Sequence, residues 1–520
     1  MPYLGSDTCL PEALVPVNLM KKIRNRFYEP IILLYALTQF CMHNNALKIL
    51  EQAPDVALQT SEQLFHDFMN KLAQICDNDR GGRTVTAAVA LQYSDCVEYR
   101  FASNQRDEDE LQNLKAFIEG ILNSLKTLTA ENSAMVRVRL LQRIVIFNRP
   151  RLQIYVREIR TQSQKCLESP ADAITPQTKE RLENLRDLSL KADDRDVDDN
   201  AFFRNCTDLT VLVKRLSKSE TYTFLRDKAN KNGQVSPWGV LRHAAGRLLS
   251  YFQVIKTLIE ARKQWERLFY DFKVVCLPSS SELHNPISRK DVTPKDIIGR
   301  MTSDAGKAES YNQIVQKLEQ FDVEGRVRSQ ARNSNYRLTV HAELLIHQSI
   351  TNDPDVKSLH PSKFFENNKY IGCSKPTCRL CHYYFAACAD GIQIRQTHKN
   401  LYTNWKVPDV YKDQGEEAVK RRDGIINKMI VPIREDTFST LRDKVAESKR
   451  FDTNTDPTYM AATSLGYTDV GIEDFSESLR LLSLDDAETS DHASPQDGQE
   501  GSTGPNEKDD DEGGVKLSEV

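Results

Sequence analysis

Side chains with the chemistry of metal ligands gather in the last third of the chain. His341 is followed by Ala342 and Glu343, and further on comes the run Pro376-Thr377-Cys378-Arg379-Leu380-Cys381. One imidazole and two thiols are three ligands for a tetrahedral zinc ion and leave a fourth position for water. Cys378 and Cys381 are three residues apart, so on a helix their sulfurs share a face, and at a helix N-terminus the dipole favours both thiolates. Two thiolates soften the Lewis acidity of the metal, so the water needs a separate group to take its proton. Glu343, two residues after a ligand in a first helical turn, can face that water without displacing a ligand. An apolar, partly closed site raises its pKa and a metal lowers it, and spacing alone does not decide between the two.

His-x-Glu followed by Pro-Cys-x-x-Cys is the pattern of the zinc nucleobase deaminases. The flanking run Lys369-Tyr370-Ile371-Gly372-Cys373-Ser374-Lys375, the Cys378 segment through His382, and Thr397-His398-Lys399-Asn400-Leu401-Tyr402-Thr403-Asn404-Trp405 with Val407-Pro408 extend the likeness. Over residues 336 to 410 the chain resembles a family of fungal proteins in the nucleic-acid and nucleotide deaminase superfamily, close to bacterial toxin-type deaminases. The resemblance implies an α+β (or α/β) chain with a cytidine-deaminase-like three-layer core, in which a helix and a β-hairpin precede the helix bearing the ligand histidine. The helix near Ser61 to Ile75 and the hairpin at Thr84 to Ser103 are the expected suppliers of those parts, the hairpin pairing with the strand at Tyr370. One departure stands out: the proline lies two residues before the first cysteine, which keeps the cysteine spacing but moves the backbone constraint.

Other readings compete. Cys373 or His382 could close the site as a fourth protein ligand, although Cys373 ends a strand and His382 directly follows a ligand and should point away. His-x-Glu and Cys-x-x-Cys could also co-occur by chance, each being weak alone. His398, Tyr402 and Trp405 could form a stacking wall for a base, or Tyr402 and Trp405 could close the core. Arg326, Arg328, Arg332 and Arg337, and the stretch from Arg137 through Arg139, Arg143, Arg149, Arg151 and Arg157 to Arg160, could neutralise phosphates. In the second stretch Val138, Leu140, Ile144, Ile146 and Ile154 suggest instead a packed element with solvated arginines. His347 and His360 lack ligand spacing and read as ordinary. No phosphate-cradling Gly-Lys-Ser/Thr loop, Gly-x-Ser-x-Gly elbow or dinucleotide fingerprint occurs, so kinase, serine-elbow hydrolase and dehydrogenase readings lack support.

The elements that must position these residues can be read from periodicity. Residues 1–80 read as helical, with apolar stripes through Ile31, Leu34, Leu37 and Phe40 and through Leu64, Phe65, Phe68, Leu72 and Ile75, and with Pro30 at a start or kink. Residues 82–104 read as the hairpin around Ser94-Asp95. Residues 105–330 return to helical spacing, clearest at Leu111 to Leu128, Leu241 to Phe272 and Tyr311 to Phe321. Loops are expected at Lys191 to Asn200, Lys231 to Gly233 and Pro278 to Asn285. Residues 331–450 form the expected zinc domain, with strands at Tyr336 to Val340, Tyr370 to Gly372 and Ile392 to Gln396. Residues 468–520 form an acidic tail expected to be disordered, with a leucine cluster at Leu479, Leu481, Leu482 and Leu484 as a short docking segment or a frayed helix.

Bulk properties bound the rest. At 520 residues, 39% hydrophobic and 28% charged, the chain has the composition of an ordinary soluble protein with room for two or three domains. The formal net charge of −4 conceals a tail of roughly −10 beyond Asp485 and a body of about +6, weak support for a nucleic-acid partner. The eleven cysteines are odd in number and mostly scattered, as reduced thiols would be. The start of the chain lacks a secretory pattern, and the apolar run Ile31 to Met42 falls short of a membrane span. The expectation is an intracellular protein of cytoplasm or nucleus, not secreted and without a membrane partner. Its expected activity is zinc-dependent hydrolytic deamination of a nucleobase in a nucleotide or single-stranded nucleic acid. The competing expectation is a non-catalytic, zinc-stabilised interaction protein that binds protein partners through its helical region or acidic tail.

Overall fold

A computed structural model of the chain describes residues 15–38, 42–43, 60–169, 174–233, 236–287, 289, 291–443 and 445–446. The N-terminal part comprises helix α1 (Lys21–Thr38), the short strand β1 (Met42–His43), α2 (Ser61–Cys76) and strands β2 (Thr86–Gln92) and β3 (Val97–Ser103). A run of helices follows: α3 (Glu108–Lys126), α4 (Ser133–Phe147), α5 (Arg149–Leu167), α6 (Pro176–Ala192), α7 (Asp199–Ser217), α8 (Glu220–Asn232), α9 (Pro237–Gln264) and α10 (Arg267–Tyr270). Next come strands β4 (Phe272–Leu277) and β5 (Leu283–His284), helices α11 (Pro294–Met301), α12 (Ala305–Leu318) and α13 (Val323–Arg332), and strand β6 (Arg337–Leu338). The chain continues through α14 (Ala342–Asn352), β7 (Tyr370–Cys373), α15 (Arg379–Cys388), β8 (Gln393–Ile394), α16 (Gly415–Asp443) and β9 (Val445–Ala446). The expected tail, 468–520, and its leucine cluster lie outside the described residues.

Local sequence explains the elements nearest the site. Thr60 and Gln63 form a reciprocal capping box that starts α2, and Phe65, Phe68, Met69, Leu72 and Cys76 carry its apolar face. Strands β2 and β3 pair antiparallel from Thr86 opposite Ser103 to Gln92 opposite Val97, with the Tyr93 N–H on the Cys96 carbonyl at 3.0 Å closing the turn. Their side chains part by the period of two. Ala88, Ala90, Val97, Tyr99 and Phe101 enter one core with α2 and the helices α3–α9, whereas Ala87, Val89, Leu91 and Ala102 enter a second core with α1 and the elements from α11 onward. The sheet is therefore a buried partition between two apolar layers, a mixed α+β architecture.

That sheet has five strands in the order β4-β3-β2-β7-β8. β2 runs antiparallel to β3 and β7, while the pairs β3/β4 and β7/β8 are parallel. Ala87 stands opposite Cys373 and Ala88 opposite Gly372, so the hairpin pairs with the Tyr370 strand as the sequence led us to expect. Strand β4 was not expected; the helix read from Leu241 to Phe272 reaches its first residue, and no strand was read in the residues that follow. The helix α9 stops at Gln264, and Phe272–Leu277 pairs in register along β3. β4 is an edge strand, only partly buried at most positions, and so lacks the alternation that marks a half-buried strand in sequence. The expected strand at Tyr336 to Val340 shrinks to β6, which pairs with β5 rather than with the main sheet.

The helices α3–α10 thus form the connection between β3 and its parallel neighbour β4. On the other side of the sheet α1 packs on α16, α11 and α13, and α15 also packs on α16. Among the described residues no helix is long and apolar enough to cross a membrane.

The approach of α2 to β7 is tight: a Cβ on Gly372 would lie 2.6 Å from the Met69 carbonyl carbon and 2.7 Å from its oxygen. Backbone cannot rotate out of the way as a side chain can. Gly372→Ala should therefore lower the free energy of unfolding by about 1–3 kcal/mol in urea denaturation; an unchanged midpoint would mean that α2 does not sit this close to the strand.

Candidate metal centre

Helices α14 and α15 begin at the same place. His341 is the N-cap of α14, with extended backbone (φ −69°, ψ 152°), and Cys378 is the N-cap of α15 (φ −74°, ψ 167°). A residue in that position sends its side chain off the helix end, where unpaired N–H groups and the positive end of the dipole favour anionic sulfur. The Cys381 N–H accordingly points to Cys378 Sγ at 3.4 Å.

His341 Nδ1 lies 3.5 Å from Cys378 Sγ and 3.3 Å from Cys381 Sγ. Two ligands on a tetrahedral zinc with ordinary Zn–N and Zn–S bonds are about 3.6 Å apart, so the three donors are spaced as a zinc ion would space them. All three are buried, and together they form a group able to hold a metal ion. Neither Cys373 nor His382 joins that group. Cys373 Sγ faces the Ile371 carbonyl, and His382 is exposed. Among the described residues the group thus has three protein donors.

The electrostatics agree. Burial pushes both thiols up, but for Cys378 the hydrogen bond from the Cys381 thiol and the neighbouring His341 outweigh it and hold the thiol well below its ordinary range. Cys381 is raised, by burial and then by Cys378. Burial opposes a charge on His341, yet the Cys378 thiolate raises its pKa overall. The pair of thiols is set to carry one negative charge before any metal arrives, and a cation is the natural third party.

Glu343 sits in the first turn of α14, 4% exposed, and its Oε2 has no hydrogen-bond partner among the described residues. Burial, reinforced by Cys378 and opposed by His341, pushes its carboxyl up to about 7. An unpaired buried carboxyl oxygen is costly, and it is held here beside the His341/Cys378/Cys381 group.

Second contacts fix the ligands. Trp405 is fully buried and its indole N–H donates to Cys381 Sγ at 3.3 Å, while its ring packs on Phe27 at 5.8 Å. The proposed stacking wall is therefore divided: Trp405 lies in the core, supporting a ligand, whereas Tyr402 lies 6.5 Å from the His341 ring and His398 5.8 Å from Tyr402. The strap carrying Trp405 is bonded to Thr339, two residues ahead of His341, with Thr339 N–H on the Asn404 carbonyl at 2.9 Å and Lys406 N–H on the Thr339 carbonyl at 3.0 Å. Arg379 ties the other end, its N–H on the Asn400 carbonyl and its guanidinium on Lys399 O and Asp436.

Sequence reading missed Asn104, whose side-chain oxygen accepts the Ala342 N–H at 2.8 Å while its amide donates to the Gly82 carbonyl at 2.7 Å. It also missed Arg100, which donates to the Ser349 carbonyl at 3.0 Å and pairs with Asp353 at the far end of α14. Their only sequence signal was polarity within an otherwise apolar hairpin. The two basic stretches are largely neutralised internally. Arg328 pairs with Glu324, Arg332 with Asp291, Arg151 with Asp77 at 2.9 Å, Arg149 with Asp199 at 2.8 Å and Arg160 with Asp193 at 2.7 Å.

A family model described as "OTT_1508_deam:-like deaminase" matches residues 340–409, a segment that contains His341, Glu343, Cys378, Cys381 and Trp405. No curated protein and no solved structure matches the chain. This segment is similar to a deaminase family, and its His/Cys/Cys group is compatible with zinc.

Two outcomes follow from the geometry. Replacing Trp405 by Phe removes the donor to Cys381 and should weaken zinc binding by about 10–100-fold, read by competition with a chromophoric chelator; equal affinity would reduce Trp405 to core packing. In the metal-free chain the Glu343 carboxyl is raised from 4.5 to about 7, so the folded state holds its proton more tightly than the unfolded one. Its contribution to stability is then full below 4.5 and lost as pH rises through 7. Glu343→Gln should gain on wild type across that window by up to about 1.4 kcal/mol per pH unit in urea titrations with chelator present; a pH-independent difference would refute a raised pKa.

Proposed function

We propose that this protein is a zinc-dependent hydrolytic deaminase acting on a nucleobase carried by a nucleotide or a single-stranded nucleic acid. The observation that carries the reading is the buried, unpartnered Glu343 carboxyl beside a His341/Cys378/Cys381 group with His341 Nδ1 within 3.5 and 3.3 Å of the two sulfurs. The similarity of residues 340–409 to a deaminase family supports it. Bound by these three side chains, zinc supplies a Lewis acid with one coordination position free for chemistry.

The overall reaction exchanges an exocyclic amine for a carbonyl oxygen, consuming water and releasing ammonia. Glu343 is the group that moves protons. Burial raises this carboxyl in the metal-free chain, and as a carboxylate beside the His341/Cys378/Cys381 group it can accept a proton from water and pass it to the ring nitrogen or the departing amine. The Trp405 N–H withdraws charge from the Cys381 sulfur, and Asn104 holds the first turn that carries Glu343. Tyr402 and His398 are the residues we assign to contact the base, since an aromatic face accepts any nucleobase. The nine free cysteines among the described residues suit a reducing compartment, cytoplasm or nucleus.

The competing reading is a zinc-stabilised interaction protein. Its support is the helical connection α3–α10, none of whose residues enters the ligand group. Glu343→Ala separates the two. The enzyme reading expects ammonia release from wild type on a panel of nucleosides, nucleotides and single-stranded oligonucleotides, and its loss by at least two orders of magnitude in the variant, with zinc content and melting temperature nearly kept. A zinc-loaded wild type that releases no ammonia from any of them would leave the interaction reading standing.

A further inference from the structure

The two helices that meet at the ligand cluster meet again further along. His347 lies six residues after His341 on α14, and Cys388 seven after Cys381 on α15, the latter close to two turns on at about 3.6 residues per turn. Asp390 follows at once. Ala389 between them adopts the left-handed conformation at φ 52°, which a residue with a side chain adopts only when its surroundings hold it there. The turn it makes returns Asp390 to His347: His347 Nε2 and Asp390 Oδ2 are 2.6 Å apart.

We propose that His347, Cys388 and Asp390 form a second metal site, which takes one divalent cation of the zinc class and clasps α14 to the end of α15. The imidazole, thiol and carboxylate donor atoms all lie within 4.8 Å of one another, as do the donors of the first cluster. A mixed nitrogen, sulfur and oxygen set selects zinc over magnesium or calcium, which take oxygen alone. His347 is 5% exposed, whereas Cys388 and Asp390 are half-buried, so an ion can enter and a fourth position faces outward. The other imidazole nitrogen, Nδ1, is 3.1 Å from the Tyr384 hydroxyl; that contact holds the ring in place as outer partners of ligand histidines do.

The position suits a cation, because α15 ends at Cys388 and the C-terminal end of a helix is the negative end of its dipole. Two lysines stand near, and both are engaged with backbone: Lys369 Nζ donates to the Asp390 carbonyl at 2.6 Å and Lys428 Nζ to the Ala387 carbonyl at 3.1 Å. Neither is bonded to a proposed ligand atom in these contacts. On binding, the His347–Asp390 hydrogen bond gives way to a pair of metal bonds, with the two atoms moving apart to about 3.4 Å, and the Cys388 thiol loses its proton to solvent. The site is independent of what the first cluster does, and needs no deaminase activity.

Metal stoichiometry tests it. Full-length chain saturated with zinc and dialysed against metal-free buffer should hold two ions by elemental analysis, and Asp390→Asn and Cys388→Ser one each. Asp390 is partly exposed, so its variant should keep the wild-type circular dichroism. Cobalt substitution supplies a second readout. The Cys378→Ser/Cys381→Ser variant should keep one cobalt with a single-thiolate charge-transfer band, and adding Cys388→Ser should remove it. One ion in wild type, or equal zinc in wild type and Asp390→Asn, overturns the proposal and leaves a His347–Asp390 hydrogen bond only.

Discussion

Arg100 reaches from β3 to the far end of α14, where it meets Asp353 and the Ser349 carbonyl; four residues on, Asn104 takes the N–H at the other end of the same helix. One strand thus grips both ends of the helix that starts at His341. The Arg100 guanidinium stands at the negative end of the dipole and an amide oxygen at the positive end, so each contact also has the favourable sign. Glu98, 2.7 Å from Arg100 Nε, balances the charge that this grip buries. With α14 fixed to the sheet, and β7 fixed to the same hairpin from the other side, the place where α15 must begin is set as well.

This explains which parts were legible in the sequence. The gathering of His341, Cys378 and Cys381 into one group was, because helix periodicity and cap chemistry operate over a few residues: Cys378 and Cys381 share a turn, and His341 and Glu343 share another. The hairpin was legible through its β-branched and aromatic composition, and its partner through the strand preceding Cys378. The helices α2 and α3 matched their apolar spacing closely, while α12 begins at Ala305, six residues ahead of the expected Tyr311. What was not legible depends on residues far apart in the chain. β4 pairs with β3 across the whole of α3–α10, and no local pattern announces such a partner. Asn104 and Arg100 carry ordinary polar side chains, and their importance comes from Ala342 and Asp353, more than two hundred residues later. Trp405 could equally have walled a pocket or filled a core; its contact with Cys381 is a tertiary fact.

The arginine stretches teach the converse lesson. Read along the chain they look like a strip of uncompensated charge, but Asp77, Asp193, Asp199, Asp291 and Glu324 return to meet them. Where those acids meet them the charges are paired, which weakens their long-range field, and salt screens it further.

Placing eight helices between two neighbouring strands also has a consequence in time. β3 ends at Ser103 and β4 begins at Phe272, and β2 waits longer still for Gly372 and Cys373. At roughly 5–20 residues per second, the ribosome leaves a freshly made hairpin with both outer edges open for some tens of seconds. Unpaired edges of that kind invite other chains, and the small alanines of β2 offer no charge to deter them. The helices α3–α9, which can pack on one face of the hairpin before either missing strand is made, are then the cover under which the rest of the molecule is completed.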